Sequence, residues 1–515
     1  MTEVTYTSKD LGSPEADRAY ETALESTRSQ LPFVVRSSVA GEELPGAHTV
    51  LDVFPGDTTI TVARVEEASP AVVDQAVAAA RAANRDWGRR SWSERATLIH
   101  KVADNIANER LEIAAVIAWE TGKVRAEAVG EVDEVVALLH YYARSLEENK
   151  GYTVRMGIAG EEVTDAMRPW GVWGVISPFN FPFAAGAGMV AGALLGGNTV
   201  VYKPTSETAL SGLLLFRYLA SVLPPGAIQF VVGDGPGVGA AMVEHPGIDG
   251  FSFTGSRDVG VASVASFNRE RPRPFVAEMG GKNPVVVCES ADVTAAAAGI
   301  VQSAFRFSGQ KCSAASRVYA HRAVYSELLE VLATTTTDLT IGNPHKVETF
   351  TGPVINEQAR DRFASAMYEA RRVGRIVAGG RVLNGGELGH GYFVEPTVST
   401  DLPVEHPHFA TELFLPYVPV APVDSLEEAI ERVNAVPFGL VAGIFTTEEP
   451  EIEAFFDRVE AGTVYANRSA GATAGAWPGV QAFGGWKESG STGRHALGPR
   501  YVPQFMREQS RTVVR

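Results

Sequence analysis

Residues 172–204 read VWGVISPFNFPFAAGAGMVAGALLGGNTVVYKP, and the fold class turns on this stretch. Val172-Trp-Gly-Val-Ile176 is a short apolar run and reads as a strand. Ser177-Pro-Phe-Asn-Phe-Pro182 stops it with two prolines. From Phe181 to Tyr202 the chain is nearly uncharged, with glycines at 186, 188, 192, 196 and 197. That length approaches a membrane span. Asn198 and Thr199 interrupt it, and Val200-Val-Tyr202 reads as a second strand. The expected order is therefore strand, turn, buried glycine-lined helix, strand.

The alternation continues downstream. Ile228-Gln-Phe-Val-Val232 precedes a glycine turn and a helix, and Gly250-Phe-Ser-Phe-Thr254 is a further strand. Short apolar strands alternating with helices predict an α/β protein with a parallel, doubly wound sheet. A second α/β series is expected from Glu278, with a strand over 284–288, an Ala-rich helix over 293–305 and further signals to about 465. Upstream, the first 60 or so residues, rich in Gly, Pro and Thr, read as irregular. Ser69-Pro70 looks like an N-cap with a first-turn proline, and Val72, Val73, Ala76, Val77 and Ala80 share a face behind it. Ser91-Trp-Ser-Glu94 is a capping box, followed by Leu98, Ile99, Val102 and Ile106. A third helix is expected over 126–146. Residues 151–169 read as a hairpin, and the tail after Gly490 ends in the strand-like Thr512-Val-Val514.

At 515 residues the chain is too long for one ordinary core, so two or three domains are expected. A net charge of −16 disfavours nucleic acid and anionic membranes as partners. Two cysteines cannot build a disulfide framework, and no Cys/His cluster has zinc-ligand spacing, so no metal is expected. The thiols point to a reducing, cytoplasmic setting. Residues 1–10 are polar, with neither a basic start nor an apolar core, unlike a secretory signal or an organelle presequence.

Several residues can do chemistry. Cys312 lies in Gly309-Gln-Lys-Cys-Ser-Ala-Ala-Ser316, where small neighbours let a substrate approach the sulfur, and a thiolate attacks carbonyl carbon well. Glu278, among glycines after a short apolar run, is a candidate general base. Asn180, held between aromatics and prolines, offers a fixed amide for an oxyanion hole, or else a cap. Lys203, at a strand end, can meet ribose or phosphate; a surface lysine is the alternative. Gly233-Asp-Gly-Pro-Gly-Val-Gly239 is either a phosphate cradle or a plain turn, since its spacing departs from Gly-x-Gly-x-x-Gly. Phe253-Thr-Gly-Ser256 is another strand-end turn of this kind. Cys288 ends an apolar strand and reads as buried and inert. Glu127, Glu131 and Glu134 share a helix face and read as a solvated acidic stripe, one member of which can reach a substrate amine.

Ser177-Pro-Phe-Asn-Phe-Pro182, Lys203-Pro204, Phe253-Thr-Gly-Ser256, Glu278-Met-Gly-Gly-Lys282, Gly309-Gln-Lys-Cys312, Glu412-Leu-Phe414 and Phe483-Gly-Gly485 occur in this order. Each is weak alone. As an ordered set, from about residue 45 onward, they resemble the aldehyde dehydrogenase superfamily. The resemblance implies a Rossmann-type cofactor domain, an α/β catalytic domain and a small β oligomerisation element. It implies that Cys312 attacks an aldehyde, that Asn180 and the Cys312 N–H stabilise the oxyanion, and that Glu278 activates water on a thioester. It implies NAD, with NADP open, held by Ser177, Lys203, Ser206, Gly237, Thr254, Gly255, Ser256, Glu412 and Phe414.

Within the superfamily, Phe307-Ser-Gly-Gln-Lys-Cys-Ser313, Tyr141-Tyr-Ala-Arg144 and the loop 474–485 are similar to the branch oxidising L-glutamate γ-semialdehyde, the 1-pyrroline-5-carboxylate dehydrogenases of proline catabolism. That similarity implies that Gly475, Ala476 and Ser313 grip an α-carboxylate. It further implies that Phe181 and Phe483 line the pocket and that Glu134 faces an α-amino group. Domains are expected at 1–150 with 170–277 (cofactor) and 278–465 (catalysis). Residues 151–169 with 490–515 are expected to join subunits of a homodimer or higher homo-oligomer, and 466–489 to anchor substrate. Departures are Phe179 for a usual Trp, Leu415 for a usual Gly, Ser206 for an expected ribose-binding carboxylate, and extra residues between Arg468 and the anchor loop. The rival readings are another semialdehyde or an aliphatic aldehyde as substrate, and a non-catalytic member of the family.

Overall fold

The computed structural model describes residues 13–469 and 475–515. The segment 1–10, and residues 470–474 leading into the anchor loop, lie outside the described residues.

Five parallel strands form the centre of the first sheet. Their spatial order is Phe275–Glu278, Gly250–Thr254, Val172–Ser177, Thr199–Pro204, Ile228–Phe230. In sequence the chain starts at Val172–Ser177, moves outward through two strands, then returns to build the other side. Strand order thus reverses beside Val172–Ser177. At such a reversal a crevice opens outside the carboxyl ends of the strands. Two short strands, Ser37–Val39 and Glu42–Leu44, extend the sheet in antiparallel fashion.

The glycine-rich stretch is a buried helix, Ala184–Leu195, as expected, and not a span. No described helix is long and apolar enough to cross a membrane. Its glycines are there for close approach. A Cβ on Gly192 would lie 2.4 Å from the Phe505 ring, and one on Gly186 2.6 Å from the Tyr202 hydroxyl.

The second sheet has the order Arg375–Ala378, Thr397–Thr400, Tyr417–Val423, Ala315–His321, Asn283–Val287, Val441–Phe445, Thr463–Ala466. Only its first pair is antiparallel. Four residues, Met279-Gly-Gly-Lys282, join the last strand of the first sheet to Asn283–Val287 of the second. Glu278 is therefore the end of a first-sheet strand, on the seam between the two. A third sheet pairs Met506–Val514 with Glu161–Pro169, and that strand with Val154–Ile158.

Three expectations need correction. The first 60 residues are not irregular where described. Ser13 caps a helix, Pro14–Gln30, whose Tyr20, Ala23, Leu24 and Thr27 are buried at helical spacing, and strands follow from Phe33. The helix placed at Ser69-Pro70 starts at Val72, because a turn bonding Val72 N–H to Ser69 O precedes it. An additional helix, Arg110–Thr121, is buried on nearly all sides from Ile113 on, so it has no polar face to betray its period. The Ser91 capping box, the helix Val293–Phe305 and the hairpin of the third sheet are as expected.

Overpacking a filled core costs roughly 1–3 kcal/mol. Gly192→Ala is accordingly expected to lower the thermal midpoint. An unchanged midpoint would show that Phe505 can move freely.

Candidate active site

A cavity of about 1190 Å³ lies on the seam. One wall is made of strand ends from the first sheet: Ser177, Lys203, Gly233, Thr254 and Glu278. The other wall is made of loops that enter the second sheet: Cys312 and Ser313 before Ala315–His321, Glu412 and Phe414 before Tyr417–Val423. The sequence-predicted nucleophile, base and amide, Cys312, Glu278 and Asn180, all line it.

Backbone strain presents Cys312. Phe307, Ser308 and Gly309 lie in succession at φ 50°, 52° and 68°. Two non-glycines there cost on the order of 1–2 kcal/mol each. The turn is held by Ser308, whose N–H donates to Thr351 Oγ1 (2.9 Å) and whose hydroxyl donates to Gly352 O (2.7 Å). Gly309 has no substitute, since a Cβ would lie 2.2 Å from Leu415 O. Asn283 Nδ2 then fixes the Cys312 carbonyl (2.6 Å).

Burial, with the Glu278 and Glu412 carboxylates nearby, pushes the thiol up to about 12, against the pull of the Ser313 and Cys312 N–H groups. Burial also pushes the Glu278 carboxyl well above the usual range, and its Oε2 has no hydrogen-bond partner among the described residues. This is the environment of a poised proton acceptor rather than of a structural ion pair. Glu412 is pushed up to about 7 by burial, opposed by the Gly281 N–H bond to Oε1 (2.9 Å) and by Lys282 and Arg362.

The acidic stripe is not solvated. Glu127, Glu131 and Glu134 are all buried. Their partners come from outside the helix face, which is why spacing alone misread them. Glu131 Oε2 lies 2.5 Å from Lys123 Nζ, and its Oε1 accepts from the N–H groups of Phe183 (2.9 Å) and Ala184 (3.0 Å). Lys123 Nζ stands 4.0 Å from the Phe181 ring centroid and 4.9 Å from that of Phe307. Burial lowers the Lys123 pKa, with Glu131 opposing. Glu127 pairs with Lys311, next to the nucleophile. Burial disfavours the Glu127 charge, but Lys311 and Arg306 outweigh it and hold the carboxyl below its usual range. Glu134 reaches the cavity itself.

Lys203 is buried, not on the surface, and burial lowers it to about 8. Ser177 Oγ and Tyr202 Oη share a 3.0 Å hydrogen bond. Ser206, Thr254, Gly255 and Ser256 line the cavity, and Ser256 starts the helix Arg257–Phe267. Phe414, at φ 58°, packs edge-on to Phe179 with centroids 5.8 Å apart. Phe181, Ser313, Ala476 and Phe483 line the cavity as well. Two predicted residues stand apart. Gly237 is not among the lining residues; its N–H is taken by Asp234 Oδ1 (2.9 Å), while Gly233, Asp234 and Gly235 do face the cavity. Gly475 faces Arg468, whose guanidinium would lie 2.1 Å from a Cβ there.

Sequence reasoning missed four contributors. Glu67, Tyr142, Leu497 and Tyr501 line the cavity from distant segments. Leu497 sits at φ 61°, its N–H donating to Tyr142 Oη (2.9 Å) and its carbonyl accepting from Gly479 N–H (3.0 Å). Of these, only Tyr142 fell within a motif quoted from the sequence, Tyr141-Tyr-Ala-Arg144. The cavity's volume, its strand-end wall and a buried lysine fit a dinucleotide together with a small substrate.

Comparison with known proteins agrees with this architecture. The family model for the aldehyde dehydrogenase family matches residues 45–510. The 1-pyrroline-5-carboxylate dehydrogenase 2 of Bacillus subtilis (strain 168) is 34% identical over 503 residues, 96% of this chain and 95% of its own. The alpha-ketoglutaric semialdehyde dehydrogenase of the same organism is 36% identical over 444 residues, 85% of this chain and 90% of its own. The solved structure of 1-pyrroline-5-carboxylate dehydrogenase from Thermus with bound NAD superposes with a TM-score of 0.93 at 31% identity, covering 98% of this chain and 97% of that one.

Glu131→Ala leaves the Lys123 charge buried and unpaired, and is expected to cost roughly 3–5 kcal/mol of stability. Adding Lys123→Met should restore part of the lost thermal midpoint. A single variant as stable as the parent would contradict the pairing.

Proposed function

The chain belongs to the aldehyde dehydrogenase family, and we propose that it oxidises L-glutamate γ-semialdehyde to L-glutamate with NAD through a cysteine thioester, in proline catabolism. The observation that carries this reading is the meeting of Cys312, Glu278 and Asn180 in one cavity, with Ser313, Ala476, Phe483 and the buried Glu134 beyond them.

The Cys312 thiol passes its proton to water in the cavity as its sulfur bonds to the aldehyde carbon, and the carbonyl electron pair moves onto the oxygen. The Asn180 amide and the Cys312 N–H donate to the resulting oxyanion. The strand-end wall would hold NAD, whose nicotinamide would supply the hydride acceptor. The thioester left on Cys312 is hydrolysed by water whose proton passes to Glu278, and the thiol returns. Ser177, Lys203, Ser206, Thr254, Gly255 and Ser256 line the dinucleotide half, and Glu412 with Phe414 stand between it and the sulfur. Ala476 and Ser313 hold the substrate carboxylate, and Glu134 faces its amine. Residues 1–150 with 170–277 bind the cofactor and 278–465 carry the nucleophile. The third sheet, which exposes Val154, Met156, Ile158, Val513 and Val514, joins copies into a homodimer or higher homo-oligomer. Two free cysteines suit a reducing cytoplasm.

A second substrate, alpha-ketoglutaric semialdehyde, is favoured by the 36% identical relative that bears that name. It has a carboxylate at the same end but no amine for Glu134. A panel of γ-semialdehydes and simple aliphatic aldehydes separates the two. L-Glutamate γ-semialdehyde should give the highest kcat/KM, and a value no better than for aliphatic aldehydes would sink the assignment.

Cys312→Ala should abolish NADH production; retained turnover would remove the nucleophile. Glu278→Gln should slow thioester hydrolysis more than the preceding step, visible as a burst of NADH before a slow steady state. The raised pKa adds a signature in stability. A buried carboxyl whose folded pKa is raised stabilises fully below its unfolded pKa, and that contribution is lost as pH rises through the folded value. The Glu278→Gln thermal midpoint should therefore gain on the parent as pH rises, and a pH-independent difference would contradict the buried acid.

A further inference from the structure

At residue 206 the family resemblance leads one to expect a carboxylate, and the chain has a serine. Glu207 lines the cavity too, with its Oε1 accepting from Asn356 Nδ2, but the carboxylate that Ser206 itself engages is another one. A carboxylate does stand there, supplied by another part of the chain. Glu67 ends the strand Thr61–Glu67, is 3% exposed, and lines the cavity with Lys203, Ser206 and Gly233. Its Oε1 accepts the Ser206 hydroxyl, and its Oε2 lies 2.6 Å from Nε2 of the exposed His48. A carboxylate offers about four lone-pair sites, so two remain for a ligand in the cavity.

We propose that Glu67 takes the hydroxyl pair of the adenosine ribose and sets the preference of this protein for NAD over NADP. The inference rests on the dinucleotide reading above. A ribose diol brings two O–H donors and suits a carboxylate acceptor. A 2′-phosphate brings about −2 charge and no donor, and meets a buried carboxylate of like sign in a medium of low dielectric. Ser206 orients Glu67 by donating to it, and a serine hydroxyl alone discriminates little between diol and phosphate. The carboxylate has thus moved from the lysine-bearing segment to a strand of a different sheet, without leaving the cavity wall.

The test is binding to the ligand-free protein, read by fluorescence quenching or calorimetry. The parent should bind NAD at least tenfold more tightly than NADP. Glu67→Gln should weaken NAD several-fold and shrink the NADP penalty by about tenfold or more, with Ser206→Ala intermediate. Parent binding of NAD with an unchanged NAD-to-NADP ratio in Glu67→Gln would overturn the proposal. Failure of the parent to bind either dinucleotide would instead overturn the cofactor reading itself. If Glu67→Gln does not fold, the parent alone decides: 5′-AMP should bind at least tenfold more tightly than adenosine 2′,5′-bisphosphate, and equal affinities would refute the role of Glu67.

Discussion

The buried pair between Lys123 and Glu131 holds the two halves of the site in register. Glu131 draws its stability from three sources: the ammonium, and the first two free N–H groups of the helix Ala184–Leu195, where a negative charge is favoured. Because that helix starts just after Asn180, the carboxylate fixes where the amide stands. Because Lys123 touches the rings of Phe181 and Phe307, it also fixes the strained turn ahead of Cys312. Two charges removed from water are rarely kept for net stability. Here they occupy a place where four segments must meet at fixed distances, which apolar packing alone specifies less sharply.

Part of the backbone strain among the described residues lies at the same cavity. Phe307, Ser308, Phe414 and Leu497 all have positive φ without being glycine, and all belong to the segments that surround the sulfur. Strain of this kind persists only where the surroundings over-determine the backbone, and the two packed sheets provide that rigidity.

The sequence carried the first sheet well. Val172–Pro204 was legible because its period changes from strand to helix and back, and Asn180, Cys312 and Glu278 were legible because small or rigid neighbours framed each of them. Other parts were hidden for physical reasons. Arg110–Thr121 is buried nearly all round, so its helical period leaves no polar trace. The spacing of Glu127, Glu131 and Glu134 fits a wet face and a buried one equally well; Lys123 and Lys311, which decide between them, lie on other segments. Glu67 meets Ser206 across 139 residues and Leu497 meets Tyr142 across 355, and no local pattern encodes such contacts. Gly237 fell outside because Asp234, three residues before it, claims its N–H.

The segment after residue 490 supplies Leu497 and Tyr501 to the cavity and Phe505 to the glycine face of Ala184–Leu195. A chain emerging from the ribosome exposes Cys312 long before these residues exist. The cavity wall around Cys312 is therefore complete only once this C-terminal segment has been made and has packed against it.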